Sequence, residues 1–244
     1  GWAVVGGGRN GRVWAIVGSR FHEIRDGVVN EHPLPAVPSG QEGTAVFEAS
    51  DGRVFVGYGG AWRREPDGSW VELRSRDAKR LVVSSITESR DGAILITSEG
   101  SGLNIWSQGR HQDAAVFSVG ADLIKFAFED RAGGLWIGTN ISGLFAWRRG
   151  RVTAWGRERG MPEVSSVPIL EDRRGNIWVG ATCGGLFLRP PGGQAARVVL
   201  GQSEPECVWA LAEDPAGDIW VGTGESGVYR LAAGKVLSHH ARAD

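Results

Sequence analysis

The sequence predicts an all-β fold: a β-propeller of six four-stranded antiparallel blades, each about 41 residues long. Three observations predict it. A glycine recurs at nearly constant spacing, at Gly11, Gly52, Gly92, Gly133, Gly175 and Gly217. Three residues after each stands a large apolar side chain: Trp14, Phe55, Leu95, Trp136, Trp178 and Trp220. Between these signatures lie short apolar runs broken by turn residues, and no long helical period appears.

The fifth unit shows how one repeat folds. Ser166–Leu170 is a short apolar run suited to a strand buried on both faces. Glu171–Gly175 is a turn: the Asp172 side chain can bond backbone two residues on, and Gly175 tolerates positive φ. Asn176–Gly180 is the second strand, rich in β-branched and aromatic residues. A hairpin loop over Ala181–Gly185 leads to a third strand at Leu186–Arg189. Pro190–Gly193 then turns the chain into a fourth at Arg197–Leu200. The same plan gives blades at roughly 1–41, 42–82, 83–122, 123–163, 164–205 and 206–244, together one domain. The first two units look degenerate, with Asn10-Gly11 and Asp51-Gly52 as tighter turns and no Asp three residues before the glycine. Each strand-two Trp is expected to fill the wedge between blades, where its burial contributes about 2–3 kcal/mol. Each blade reads as complete, without the strand exchange that usually seals a ring. Either six blades close by side-chain packing alone or the segment belongs to a longer propeller array, and the second is expected.

Composition narrows the function. The 244 residues are 41% hydrophobic, enough for a core, and 38 glycines suit many tight hairpins. A net charge of −1 offers no case for nucleic acid or an anionic membrane surface. No apolar run is long enough for a transmembrane helix. The chain opens at Gly1 inside a strand-like run and reads as excised from something longer. Two cysteines, Cys183 and Cys207, are too few for a zinc site or a disulfide framework. They are expected to be unpaired small hydrophobes, with a bridge between neighbouring blades the alternative.

EDRAGGLWIGT, EDRRGNIWVGA and EDPAGDIWVGT, in the last three units, each follow I-x-E-D-x-x-G-x-[IL]-W-[IV]-G-T-x-x-x-G-[LV] with one departure, at Ala127, Ala181 and Leu211. That pattern resembles the two-component regulator propeller repeat, most clearly over Glu129–Leu144, Glu171–Leu186 and Glu213–Val228. Gly160-Met161-Pro162 is similar to the Gly-Leu-Pro that often precedes a blade in that family. The resemblance implies a periplasmic or extracytoplasmic sensor domain of a bacterial signalling protein. It also implies a small-molecule ligand, a carbohydrate fragment in the best-known members, and homodimerisation through the parent protein. The kinase machinery of the family is not in this chain. Sialidase Asp-boxes place Asp two residues before the glycine rather than three, and WD repeats need Trp-Asp and Gly-His pairs at the repeat period; neither fits.

No catalytic constellation, metal-ligand spacing or cofactor motif appears, so the chain is expected to be non-enzymatic, without metal or cofactor. Asp130, Asp172 and Asp214 are expected to cap turns, and Glu129, Glu171 and Glu213 to be solvated or paired on the same face. Ligand-binding candidates lie where the repeats disagree, at the expected channel mouth. Strand-one starts supply Thr44, Ser84, Lys125, Val167 and Trp209. Loops after strand two supply Glu99, Asn140, Thr182 and Glu225. Loops before strand one supply His32, Arg80, Asp122 and Glu206. An aromatic platform among convergent polar groups suits a sugar. A protein-interaction or dimerisation module is the alternative, and a lyase or hydrolase resting on His32 is a third reading.

Overall fold

The computed structural model describes residues 3–38, 40–112, 123–156, 159–161, 166–201 and 206–241. Asp122, among the candidates above, lies outside them. The chain falls into two compact units, residues 1–118 and 119–244. The first holds three antiparallel sheets: β1 Ala3–Gly7, β2 Val13–Val17, β3 Arg20–Arg25 and β4 Val28–His32; β5 Gly43–Glu48, β6 Val54–Tyr58, β7 Ala61–Arg64 and β8 Trp70–Leu73; and β9 Val82–Glu88, β10 Ile94–Glu99, β11 Gly102–Ser107 and β12 Arg110–Gln112. The second holds β13 Ile124–Glu129, β14 Leu135–Thr139, β15 Leu144–Arg148 and β16 Arg151–Trp155; β17 Ser166–Glu171, β18 Ile177–Ala181, β19 Gly185–Arg189 and β20 Ala196–Val198; and β21 Val208–Glu213, β22 Ile219–Thr223, β23 Val228–Ala232 and β24 Lys235–His240. These are the six four-stranded blades of a β-propeller, each pairing its strands in sequence order.

First strands touch one another, β1 to β5 to β9 in one unit and β13 to β17 to β21 in the other. They are therefore the strands at which neighbouring blades meet. The strand-two aromatics fill the wedges as expected: Trp14, Phe55, Trp136 and Trp178 are almost wholly buried, whereas Trp220 of the sixth blade is half-buried. All six signature glycines have positive φ, from 74° to 90°. In every blade that glycine sits in the turn between the first two strands. The residue three before the glycine donates its N–H to the carbonyl four residues on, from Gly8 to Arg12 (2.7 Å), Ala49 to Arg53 (2.8 Å) and Asp130 to Gly134 (2.8 Å) among others. The turn at Asp51-Gly52 is thus not tighter than those of the later blades, whereas at Asn10-Gly11 both residues have positive φ (55° and 74°) and the Arg12 N–H donates to Arg9 (3.1 Å), a tighter two-residue turn. The glycine's conformation sets the turn, and the missing Asp does not.

The Asp does more than cap. In the second unit its carboxylate accepts the indole N–H of the Trp six residues later: Trp136 to Asp130 at 2.7 Å, Trp178 to Asp172 at 2.9 Å and Trp220 to Asp214 at 3.0 Å. A buried indole N–H left unpaired is costly, and an ionised acceptor bonds it strongly. Where strand two carries Phe55 or Leu95 there is no N–H to satisfy, and Ala49 and Ser89 take the Asp position.

The glutamates that end strand one are not merely solvated. Three of them reach back to a backbone N–H in the preceding blade's turn: Ser50 donates to Glu88 at 2.7 Å, Arg131 to Glu171 at 2.7 Å and Arg173 to Glu213 at 3.0 Å. Pro215 stands at the matching place in the sixth blade and has no N–H to offer.

The cysteines are paired. A Cys183–Cys207 disulfide joins the loop after β18 to the residue before β21, linking the fifth blade to the sixth. Repeat spacing did not expose this, because the two loops converge only once the blades stack. Among the described residues no helix is long and apolar enough to cross a membrane.

Candidate functional site

The strand-one candidates share a structural device that the sequence alone did not reveal. In blades two to six the pairing of strand one with strand two shifts register near the strand start. The extra residue is Thr44 in β5, Ser84 in β9, Lys125 in β13 and Trp209 in β21; in β17 the shift falls between Ser166 and Ile169. A β-bulge leaves one residue unpaired and re-aims its side chain. The glycines opposite follow from the same geometry. A Cβ on Gly57 would lie 2.4 Å from Thr44 Oγ1 and 2.9 Å from Val83 of the next blade. One on Gly180 would lie 2.6 Å from Val208 of the next blade. The Trp-[Ile/Val]-Gly motif is therefore a packing requirement at these seams.

In the first unit, Thr44 and Arg80 come together. Both line a cavity of about 400 Å3 with Gln41, Glu42, Gly59 and Gly60. Arg80 Nε is held by Glu72 at 2.9 Å, and Glu72 also pairs with Arg74 at 2.5 Å. Ser84 is half-buried and Glu99 is exposed at the end of β10; neither lines that cavity. His32 is not beside a strand-one start. It ends β4, where its Nε2 meets Glu23 at 3.1 Å and its Nδ1 meets Arg64 at 3.2 Å. Both ring nitrogens are engaged in tying β4 to β3 and β7.

In the second unit, Lys125 is half-buried in its bulge and Asn140 is exposed. The Asn140 N–H donates to Leu123 at 2.9 Å, which sets the two candidates beside one another. Thr182 is half-buried next to the disulfide. Trp209 is 54% exposed, the one exposed tryptophan among the described residues. Its indole lies over Gly224, where a Cβ would sit 2.8 Å from Nε1. The Gly224 N–H donates to Cys207 (2.9 Å), and Ser226 donates to Glu206 (2.5 Å). Glu225 is exposed between Gly224 and Ser226. The platform is therefore fixed by a bulge, a glycine with no side chain beneath the ring and a disulfide two residues away. Sequence reasoning singled out Trp209 by its uniqueness but could not show what holds it.

Residues 203–225 match the Two component regulator propeller family, over the sixth blade's first two strands. No protein of curated function matches the sequence. Among solved structures, virginiamycin B lyase from Staphylococcus aureus is similar over 98% of this chain and 83% of its own, with a TM-score of 0.78 and 17% identity. The extracellular domain of a candidate hybrid two-component system from B. thetaiotaomicron is similar over 100% of this chain and 35% of its own, with a TM-score of 0.77 and 15% identity. That of a candidate one-component system from B. thetaiotaomicron is similar over 92% and 32%, with a TM-score of 0.71 and 16% identity. The chain thus spans about a third of the length of those two extracellular domains, and at these identities the likeness is one of fold. The chain is a six-bladed β-propeller whose residues 203–225 match the two-component regulator propeller repeat.

Proposed function

We propose that this propeller is a non-catalytic, extracytoplasmic sensor domain that binds a small polar molecule, an oligosaccharide by preference, for a two-component signalling protein. The observation that carries the reading is Trp209, an exposed indole fixed on a strand-one bulge beside the exposed Glu225. A flat apolar face with polar groups at its edge is what a sugar ring requires. The Cys183–Cys207 bridge supports a compartment outside the reducing cytoplasm. Calorimetric titration against a glycan panel tests the proposal. A saturable ligand is expected, and Trp209→Ala should weaken its binding by about tenfold or more while leaving the fold intact by circular dichroism. Silence across the panel, or binding indifferent to Trp209→Ala, sinks it.

A second reading has one observation in its favour. A groove of about 800 Å3 beside β20 and β24 is lined by Val199, Leu200 and Val236, and Leu237 nearby is 58% exposed. Such an apolar surface suits a homodimer contact. Light scattering would then report a dimer that Leu237→Glu disrupts.

A further inference from the structure

We propose that the second unit holds an oxyanion site where Arg148, Arg189 and Trp155 converge between its first two blades, built to take a sulfate or phosphate group. The ends of β15, β16 and β19 bring these side chains together. Trp136 and Trp155 lie 5.6 Å apart, and the Arg189 guanidinium packs over both, 5.5 Å and 4.7 Å from their ring centres. Arg148 lies 5.9 Å over Trp136, and Arg159 lies 5.1 Å over Trp155. Three guanidiniums are thus stacked around two indoles.

Arg148 pairs with Asp130, and Asp130 is already saturated. Its two oxygens accept Trp136 Nε1 at 2.7 Å, the backbone N–H groups of Ala132 and Gly134 at 3.0 and 2.8 Å, and Arg148. Among the described residues, the Nε of Arg189 is buried with no partner, and so is Nε1 of Trp155, a residue only 8% exposed. The contrast with Trp14, Trp136, Trp178 and Trp220 is direct, because each of those donates to a carboxylate. A buried donor without an acceptor costs free energy that folding alone does not recover. Two such donors, on groups whose centres are 4.7 Å apart, are spaced for two oxygens of one anion. Burial, together with the charges of Arg148 and Arg159, holds the Arg189 guanidinium below its usual range. An anion would relieve both effects. The Arg148 side chain is 43% exposed and forms the solvent side of the cluster, so an ion can reach it.

The test follows the Trp indole N–H resonances in 1H–15N spectra while sodium sulfate is titrated in, with sodium chloride holding ionic strength constant. One resonance, identified by its absence in Trp155→Phe, is expected to shift saturably with sulfate and with phosphate. Arg189→Met, which keeps the stack over the indoles, is expected to weaken that binding by about tenfold or more. Arg148→Gln retains an N–H for Asp130 and should weaken it too, a second measure should Arg189→Met fail to fold. A shift that never saturates, or one unchanged in both variants, overturns the proposal. So does an equal response to chloride alone.

Discussion

Blade one meets blade two by the same rules that govern the seam between blades five and six, but with the residues exchanged. At the later seam, strand two carries Gly180 and the next strand one fills the space with Val208. At the first seam the bulk has crossed over: Ile16 occupies the glycine position and Gly43 the valine position, so that a Cβ on Gly43 would lie 2.6 Å from Ile16. The acid has crossed as well. Trp178 finds its acceptor in Asp172 of its own blade, whereas Trp14 donates across the seam to Glu48 at 2.5 Å. Gly8 stands at the Asp position of blade one, and a Cβ there would lie 2.6 Å from the Glu48 carboxylate. Glu48 comes from the strand-one position that elsewhere bonds the preceding turn's backbone. The seam conserves a filled volume and an acceptor for the indole; which blade supplies them is free to change.

Exchanging the residues back gives the sharpest test. Ile16→Gly alone removes a side chain that is 1% exposed and should cost about 4–5 kcal/mol in urea unfolding. Gly43→Val alone should overpack by about 1–3 kcal/mol. The double variant restores the arrangement of the later seam and should recover most of both losses. Simple additivity of the two would break the comparison.

Next in size is the acid. Glu48 is 8% exposed and holds Trp14 and Arg12, so Glu48→Ala should cost about 3 kcal/mol. Adding Gly8→Asp to that variant moves the acceptor into its own blade and should return a good part of the loss. No recovery in the folded double variant would show that the two positions are not interchangeable.

Acid titration probes the later seam. Burial raises the Asp172 carboxyl, but hydrogen bonds from Trp178, Asn176 and the Arg174 backbone outweigh it and hold the group below its usual value of 3.8. The unfolded chain therefore takes up the proton first. The stabilisation is fully present above about pH 4 and is lost as pH falls through the lowered native value. Asp172→Asn should flatten that part of the acid limb of a stability–pH profile, and an unchanged limb would remove Asp172 from the account.

The smallest effect belongs to the inter-blade glutamates. Glu171→Gln keeps an acceptor for the Arg131 N–H but loses its charge, and should cost about 1 kcal/mol or less. A much larger loss would mean that these contacts, rather than the wedge packing, hold neighbouring blades together.

The repeat itself was legible from sequence because its period is carried by turn glycines and by a large apolar side chain on strand two, which every blade has. The position of the bulges was legible only indirectly: Thr44, Ser84, Lys125 and Trp209 stood out because they differ between repeats. What remained hidden were the relations that cross from one blade to the next. Glu48 serving Trp14, Ile16 filling above Gly43, and Cys183 meeting Cys207 all join residues one repeat or a large part of one apart. Aligning each repeat on itself conceals such exchanges, because a compensating pair then looks like two unrelated departures from the pattern. The orphan donors of Arg189 and Trp155 were invisible for a simpler reason. An unmet hydrogen bond is a property of three-dimensional surroundings, and no spacing encodes it.

The strand-one bulge has a consequence for how such a domain changes over time. Because the bulged residue sits outside the ladder, its side chain can be rewritten without disturbing strand pairing. Threonine, serine, lysine and tryptophan already occupy that place in one chain. If the proposed ligand is read by these residues, recognition and stability are under separate genetic control, and a new ligand would need substitutions at only a handful of codons while the scaffold stays as it was.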